Sequence, residues 1–421
     1  MSPTLPAGFG MVEGVPEERY QEWLDCWLGA FGSPPGADEA MVGFYRRTHP
    51  PERAIAIYDD GGYVATNTSL HRDFVLPGGA TVPMAACTGG SCHPTLTRRG
   101  LMSVTLDRLH RRAAEEGKAL CAGGVSEWPI YRRFGYGPAT WYDSVEIDVR
   151  RTRLRDDVPG EGVRPRRVEG AEAREVARRV YTRQAATTPG EVVPPDCFWD
   201  RLAMDPGSPE LEMMLALSGP GGPRHCAAIG DRGLVSYRIM PDWTDEQAPN
   251  NVLQVIDFLA ADDETAGALW RHLFSIDMIG EIHVWRLPVD DPLRWWAVDA
   301  RWIRTRPKDG MWLRLIDVPR LLSARTWSAD GALTLRVHDD QGYAEGTYRL
   351  EAGAGTGSCA RDTATPDLEM DVSALGAILL GGTSAAGMAR SGRIQAKDPR
   401  HVRLWDTMAT PERAPFISYW F

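Results

Sequence analysis

The sequence predicts an α/β protein with mixed sheets, built as two similar units followed by a smaller α+β unit. Three observations predict it. The first third of the 421-residue chain reads strand, glycine-rich crossover, helix, strand. The second third repeats that order, and after Arg306 the pattern changes to short strands and short helices.

Each element follows from local pattern. Between Glu17 and Phe31, the residues Tyr20, Trp23, Leu24, Trp27, Leu28 and Phe31 fall at helical spacing and predict one apolar helix face. A shorter helix is expected from Asp38 to Arg47. Ala54 to Tyr58, the turn Asp59-Asp60-Gly61-Gly62 and Tyr63 to Ala65 predict a hairpin. A strand from Thr81 to Thr88 runs into Gly89-Gly90-Ser91-Cys92-His93-Pro94, and its splayed end is expected near Gly89 to Cys92. Arg98-Arg99-Gly100 then opens an amphipathic helix reaching about Gly117, and Ala119 to Val125 reads as a buried strand.

The Arg- and Pro-rich stretch from Arg150 to Arg167 reads as a linker. Beyond it come a helix (Ala171 to Ala185), strands near Leu211, Cys226, Val235 and Val252, a helix (Asp263 to Ile276) and a strand (Glu281 to Arg286), without a glycine-rich turn. After Arg306-Pro307-Lys308-Asp309-Gly310, short strands are expected around Leu313, Leu335 and Tyr348, and helices over Val372 to Leu380 and Ser384 to Ile394. Gly353-Ala354-Gly355-Thr356-Gly357 lacks a strand-loop-helix setting and reads as a flexible turn, not a phosphate loop. The expected units are 1–155, 156–306 and 307–421.

Composition narrows the function. With 43% apolar and 25% charged residues the chain can fill more than one core. The 47 basic against 57 acidic residues give −10, the wrong sign for a surface that tracks nucleic acid or anionic lipid, and a sign that suits small cationic partners. No apolar run reaches the ~18 residues of a membrane helix, and the first basic residue is Arg19, so neither a membrane anchor nor a secretory signal is expected and a cytoplasmic location is. Seven cysteines, an odd number thinly spread, do not suggest a disulfide framework. Cys87, Cys92 and His93, or His225 with Cys226, fall short of a four-ligand zinc set, so no metal is expected.

The strongest local signal for chemistry is the start of the Arg98-Arg99-Gly100 helix. A helix N-terminus offers unpaired N–H groups and the positive end of the dipole to an anion such as pyrophosphate. Gly100 lets a ligand approach the backbone, and Arg98 and Arg99 can pair phosphate oxygens. An ordinary surface helix with basic residues at its start is the competing account. Glu127, Glu22 and Asp25 could meet a cationic substrate, although solvation alone explains the latter two.

His93 to Met102, together with Ser126-Glu127-Trp128-Pro129-Ile130-Tyr131-Arg132-Arg133-Phe134-Gly135-Tyr136-Gly137-Pro138-Ala139-Thr140, resembles the GCN5-related N-acetyltransferases (GNAT superfamily) and, within them, the Eis (enhanced intracellular survival) branch. Asp309-Gly310-Met311-Trp312-Leu313-Arg314 and the terminal aromatic Phe421 fit the same branch, so the resemblance spans nearly the whole chain. It implies tandem GNAT folds, the second without a working cofactor loop, followed by a sterol-carrier-protein-like α+β domain. It also implies an enzyme that moves acetyl from acetyl-CoA to amines and assembles with itself as a hexamer of paired trimers.

The resemblance implies site residues as well. Tyr131 matches the general acid that protonates the leaving thiolate, and the Phe421 carboxylate matches the base. Gly90, Cys92, Arg98, Arg99, Gly100, Leu101, Ser126 and Glu127 fall where acetyl-CoA is held. Backbone N–H groups near Gly89 to Cys92 are candidates for stabilising an oxyanion. A core tyrosine beside Phe134 and Tyr136 is the plainer account of Tyr131. A final strand closing the last sheet is the plainer account of the apolar Pro415 to Phe421, and it is compatible with the catalytic one.

Two departures touch the donor site. Thr97 stands where the family carries Arg or Gln, and Thr88 to Pro94 replaces a Val-rich strand end. They leave open a wider thioester channel, weaker CoA binding, another activated donor such as an aminoacyl-tRNA, or a non-catalytic protein holding an apolar ligand in its third unit. A tRNA donor would need the arginines at 150, 151, 153, 155, 164, 166 and 167 as a basic surface.

Overall fold

The computed structural model describes residues 3–33, 36, 39–202, 222–419 and 421. The chain forms two compact units, one of Met1–Thr140, Thr188–Val193 and Asp309–Phe421, the other of Trp141–Thr187 and Pro194–Lys308.

Along the chain, β1 (Gly10–Glu13) precedes α1 (Tyr20–Ala30) and α2 (Glu39–Thr48). The stripe read from the sequence buries Tyr20, Trp23, Leu24, Trp27 and Leu28, while Phe31, just past the helix, is exposed. There follow β2 (Ala54–Asp59), β3 (Gly62–Val75), β4 (Thr81–Cys92), α3 (Leu101–Glu115), β5 (Leu120–Gly124), α4 (Trp128–Arg132), β6 (Gly137–Pro138), β7 (Trp141–Asp148) and β8 (Arg166–Arg167). Next are α5 (Gly170–Ala185), β9 (His225–Ile229), β10 (Gly233–Met240), β11 (Asn251–Ala260), α6 (Asp263–Phe274), β12 (Ile279–Pro288), α7 (Leu293–Trp296) and β13 (Ile303–Asp309). The last stretch holds β14 (Met311–Leu315), α8 (Val318–Ala324), β15 (Gly331–His338), β16 (Gly346–Gly353), β17 (Thr356–Arg361), β18 (Leu368–Asp371), α9 (Val372–Ile378), α10 (Ala385–Arg390), β19 (Ile394–Ala396) and α11 (Pro399–Ala409). The strand expected near Leu211 and the first residue of the helix expected at Asp38 lie outside the described residues.

Three mixed sheets result. The first has the order β1-β2-β3-β4-β5-β14-β6, the second β13-β7-β12-β11-β10-β9-β8, and the third β17-β16-β15-β18-β19. Residues 141–155, read above with the first unit, belong by contact to the second: β7 pairs with β12, Val145 opposite Val284. β14, expected to open the third unit, instead joins the first sheet, with Leu313 opposite Ala122 of β5 on one side and Gly137 of β6 on the other. The glycine-rich stretch at 353–357 is the tight turn between β16 and β17, with Ala354 and Gly355 both at positive φ (51° and 79°).

The first sheet buries Ile55, Ala85, Cys87, Leu109, Ala113, Cys121, Tyr136 and Trp312 in one cluster. The second is filled around Trp270, Leu253, Val284 and Leu269. α11, absent from the sequence reading, packs on β15 and buries Val402, Trp405 and Met408. Among the described residues, no helix is long and apolar enough to cross a membrane.

Candidate active site

The site grows from a register shift between β3 and β4. Thr68 lies opposite Thr88 and Thr66 opposite Ser91, so Gly89 and Gly90 together oppose the single Asn67. This is a β-bulge, and Gly89 takes φ 65°, the left-handed conformation that glycine adopts at such a position without a side-chain clash. A Cβ on Gly89 would also come within 3.1 Å of the Trp27 ring. The strand read over Thr81 to Thr88 runs on to Cys92, inside the Gly89 to Cys92 span where its end was expected, and the bulge bends it on the way. On its other side β4 pairs with β5 only from Met84 to Ala86, so the two parallel strands part just before the bulge.

Tyr131 is aimed at this bulge. A Cβ built on Gly90 would stand 3.3 Å from the Tyr131 hydroxyl, 3.3 Å from Met102 Cε and 3.7 Å from Asn67 Nδ2. Any larger residue at position 90 would crowd the phenol, so the glycine keeps that oxygen accessible. Tyr131 sits in α4, a single turn with Pro129 near its start, and its ring meets that of Tyr136 edge-on at 5.7 Å. Burial, with smaller contributions from Cys87 and Glu127, pushes the phenol up to about 12. It keeps its proton throughout the physiological range.

A chain of largely buried polar groups runs on from Tyr136. Tyr136 Oη donates to Cys87 Sγ at 3.5 Å and lies 3.0 Å from His110 Nε2, and His110 Nδ1 lies 2.9 Å from Gln341 Oε1. Arg314 donates to Gln341 at 3.3 Å and to both oxygens of Asp339 at 2.8 Å. Burial, and then the charge of Arg314, hold His110 down at about 3, so its ring is neutral.

The start of α3 completes the site. Gly100 is its N-cap at φ 85°, with no side chain capping the helix and no acidic residue in the first turn. A Cβ there would meet nothing within 4 Å, so the space beside the first turn is open. Arg98, itself at φ 63°, and Arg99 are exposed just before it. An uncapped helix start, two guanidinium groups and open space beside the backbone suit a pyrophosphate, which makes these residues fit for the nucleotide half of a CoA thioester.

The other predicted residues fall in different places. Leu101 is buried among Ile57, Val64, Ala65 and Val104, so it can serve a ligand through its backbone N–H and not its side chain. Cys92 packs against the same cluster, its thiol pushed up by burial. Ser126 and Glu127 are exposed where the chain passes from β5 to α4. Phe421 is half-buried with its ring 5.7 Å from that of Tyr419, and Phe416, Ile417 and Tyr419 are buried. The described residues of this tail form no strand, which sets aside the closing-strand account. The contacts among the described residues join Tyr131 to Gly90 and do not join Tyr131 to Phe421.

Some candidates have structural work instead. Glu22 is paired with Arg19 at 2.8 Å and accepts the Tyr63 N–H at 2.9 Å, and Asp25 accepts the Gly36 N–H at 3.1 Å. Arg150, Arg151, Arg153, Arg155, Arg166 and Arg167 each pair with a carboxylate, which reads as a solvated linker and not as a free basic surface. The sequence reading missed Asn67, Met102 and Trp27 as neighbours of the bulge. A polar Asn inside a strand of Thr and Ser was the one signal available for them.

An acetyltransferase (GNAT) domain model matches residues 12–139, a second acetyltransferase (GNAT) domain model matches 196–315, and a sterol carrier protein domain model matches 318–418. An uncharacterized N-acetyltransferase of Streptomyces griseus is 34% identical over 411 residues, which cover 96% of this chain and 98% of that one. The N-acetyltransferase Eis of Mycobacterium tuberculosis is 31% identical over 399 residues, covering 91% of this chain and 94% of that one.

The chain belongs to the Eis-like GNAT N-acetyltransferases.

The crystal structure of Eis1 from Mycobacterium abscessus agrees with this Eis-like fold at a TM-score of 0.83 and 26% identity, covering 98% of this chain and all (100%) of that one. The architecture is thus two GNAT domains and then a sterol-carrier-like domain, and the protein is an acetyltransferase. Enzymes of the GNAT type in general use acetyl-CoA as co-substrate. In this Eis-like acetyltransferase the bulge, Tyr131 and the open helix start all lie within the first GNAT match.

Proposed function

We propose that the protein moves an acetyl or closely related acyl group from acetyl-CoA to a primary amine of a small cationic or natural-product molecule. The observation that carries the proposal is the Tyr131 hydroxyl standing over Gly90 at the bulge, in a sheet whose next helix opens bare at Gly100. Arg98, Arg99 and the backbone of Gly100 and Leu101 would hold the pyrophosphate, with Gly90, Cys92, Ser126 and Glu127 along the path of the pantetheine. The donor supplies the activated thioester.

Tyr131 gives its proton to the leaving sulfur as the carbon–sulfur bond breaks. The burial that raises the phenol raises a thiolate in the same place, so the transfer is less uphill than the phenol's value alone suggests. The Phe421 carboxylate takes the proton that the amine nitrogen sheds on forming the amide. A terminal carboxylate of about 3.5 is a weak base in water, so this role requires surroundings that disfavour its charged form. The net charge of −10 favours a cationic acceptor approaching. Self-assembly as a hexamer is part of the same proposal.

A thiol-release assay with acetyl-CoA and a panel of amines tests it, run on the native chain and on a chain with residues appended after Phe421. Release that needs an amine, and that stops on extension, is expected. Full activity in the extended protein would remove the terminal carboxylate from the mechanism.

A further inference from the structure

The tail that ends in Phe421 is held by a short segment which, although numbered within the central part of the chain, folds with the first unit. Residues 188–193 lie against the end of β3: Gly190 N donates to Val75 O at 2.8 Å, Val75 N to Glu191 O at 2.9 Å and Val193 N to Asp73 O at 3.0 Å, with Phe74 bridged to Val192. The same segment also grips the tail. Phe416 N donates to Pro189 O at 2.9 Å. Ser418 N donates to the two Glu191 carboxylate oxygens at 3.2 and 3.1 Å, and Ser418 Oγ donates to Oε1 at 2.6 Å.

Glu191 is 0% exposed, and a carboxylate buried that completely is costly unless donors surround it. Three donor contacts from one residue converge on this one carboxyl group, which makes a firm anchor. Gly190 permits the close approach: at φ 93°, a Cβ there would stand 2.7 Å from Thr140 Cγ2 and 3.0 Å from Phe416 O. A chain terminus left to itself frays. Ser418 lies three residues before the terminal carboxylate, so pinning it confines that group to within about 10 Å of the anchor.

We propose that Glu191 is a positioning residue that holds the C-terminal carboxylate in place by clamping Ser418. The proposal rests on reading that carboxylate as the base, and its test separates the two ideas. In the full-length enzyme, Glu191→Ala, Glu191→Gln and Ser418→Ala are compared by three readings: release of Phe421 by carboxypeptidase, hydrogen exchange at residues 416–418, and kcat with KM for acetyl-CoA.

For Glu191→Ala, release and exchange should quicken and kcat fall by about tenfold or more while KM is unchanged, the loss of a buried acceptor whose donors are left unpaired. Glu191→Gln, which keeps an acceptor, should recover part of both. Ser418→Ala, a milder change that leaves the backbone donor, should move in the same direction by less and guards against misfolding of the first variant. A tail that stays as protected as in the wild type would overturn the clamp. A tail set loose with kcat intact would leave the anchor standing but overturn the positioning role, and with it the terminal base.

Discussion

Two helices occupy the same place in the two seven-stranded sheets and differ in what their first turns offer. α3 carries the chain from β4 to its parallel neighbour β5, and α6 carries it from β11 to its parallel neighbour β12. α6 is closed by its own residues: Asp262 caps it by accepting the Thr265 N–H at 2.8 Å, Asp263 and Glu264 fill its first turn, and Arg232 pairs with Asp262 at 3.0 Å. α3 has Gly100 at the cap, Arg98 and Arg99 before it and no acid in its first turn. One crossover brings its own anion; the other awaits one. The difference lies in a handful of residues, and on the proposed function it separates a helix that stabilises a fold from one that receives a nucleotide.

The comparison can be broken at several points. The largest effect is expected at the chemistry proposed for the first sheet. Tyr131→Phe should lower kcat by about 100-fold or more while acetyl-CoA affinity stays near wild type, because on the proposed mechanism only the proton donor is removed. A calorimetric titration beside the kinetics checks this, and a large loss of affinity would count against the assignment.

Acid should separate the units next. Burial, with nearby arginine charge, holds His49 and His110 of the first unit at about 3, below the usual 6.5. Both contribute stability above pH 6.5 that is lost as pH falls toward 3, about 4 kcal/mol together by pH 5. In the second unit, burial works against the Asp257 carboxyl but the Arg201 charge and hydrogen bond hold it at about 2, so its contribution persists until pH falls below about 4. Half-buried His272 is lowered in the same sense as the other histidines. Hydrogen exchange at pH 7 and pH 5 should show the first unit loosening ahead of the second. The smallest change is Asp262→Ala, expected to cost about 1 kcal/mol of stability as a lost cap and to leave CoA binding alone, read from denaturant midpoints.

What the sequence made legible was whatever rests on local pattern. The stripe of α1 and the start of α3 were visible because one face or one turn decides them. The bulge was not, since Gly89 and Gly90 acquire their meaning only from Asn67 on another strand. The length of β3 was hidden too: Thr66, Asn67, Thr68 and Ser69 are polar yet almost wholly buried, satisfied by hydrogen bonds that no hydropathy period reports. β14 was misplaced because its partners, β5 and β6, lie far back in the chain. α11 is a different case, for Asp398-Pro399 followed by Val402, Trp405 and Met408 was a readable start and stripe. Glu191 carried no signal at all until the tail was seen lying on it.

The central claim is that the bare start of α3 receives the nucleotide, and replacing Gly100 with the acid that closes α6 tests it most directly. Asp tolerates the left-handed backbone of that position, so Gly100→Asp should fold as the wild type does. Titrated with CoA in a calorimeter, the wild type should bind one ligand per chain, and Gly100→Asp should bind at least about tenfold more weakly, as a carboxylate now occupies the anion's place. Equal affinity in the two proteins, or no heat from the wild type at millimolar CoA, would contradict the account.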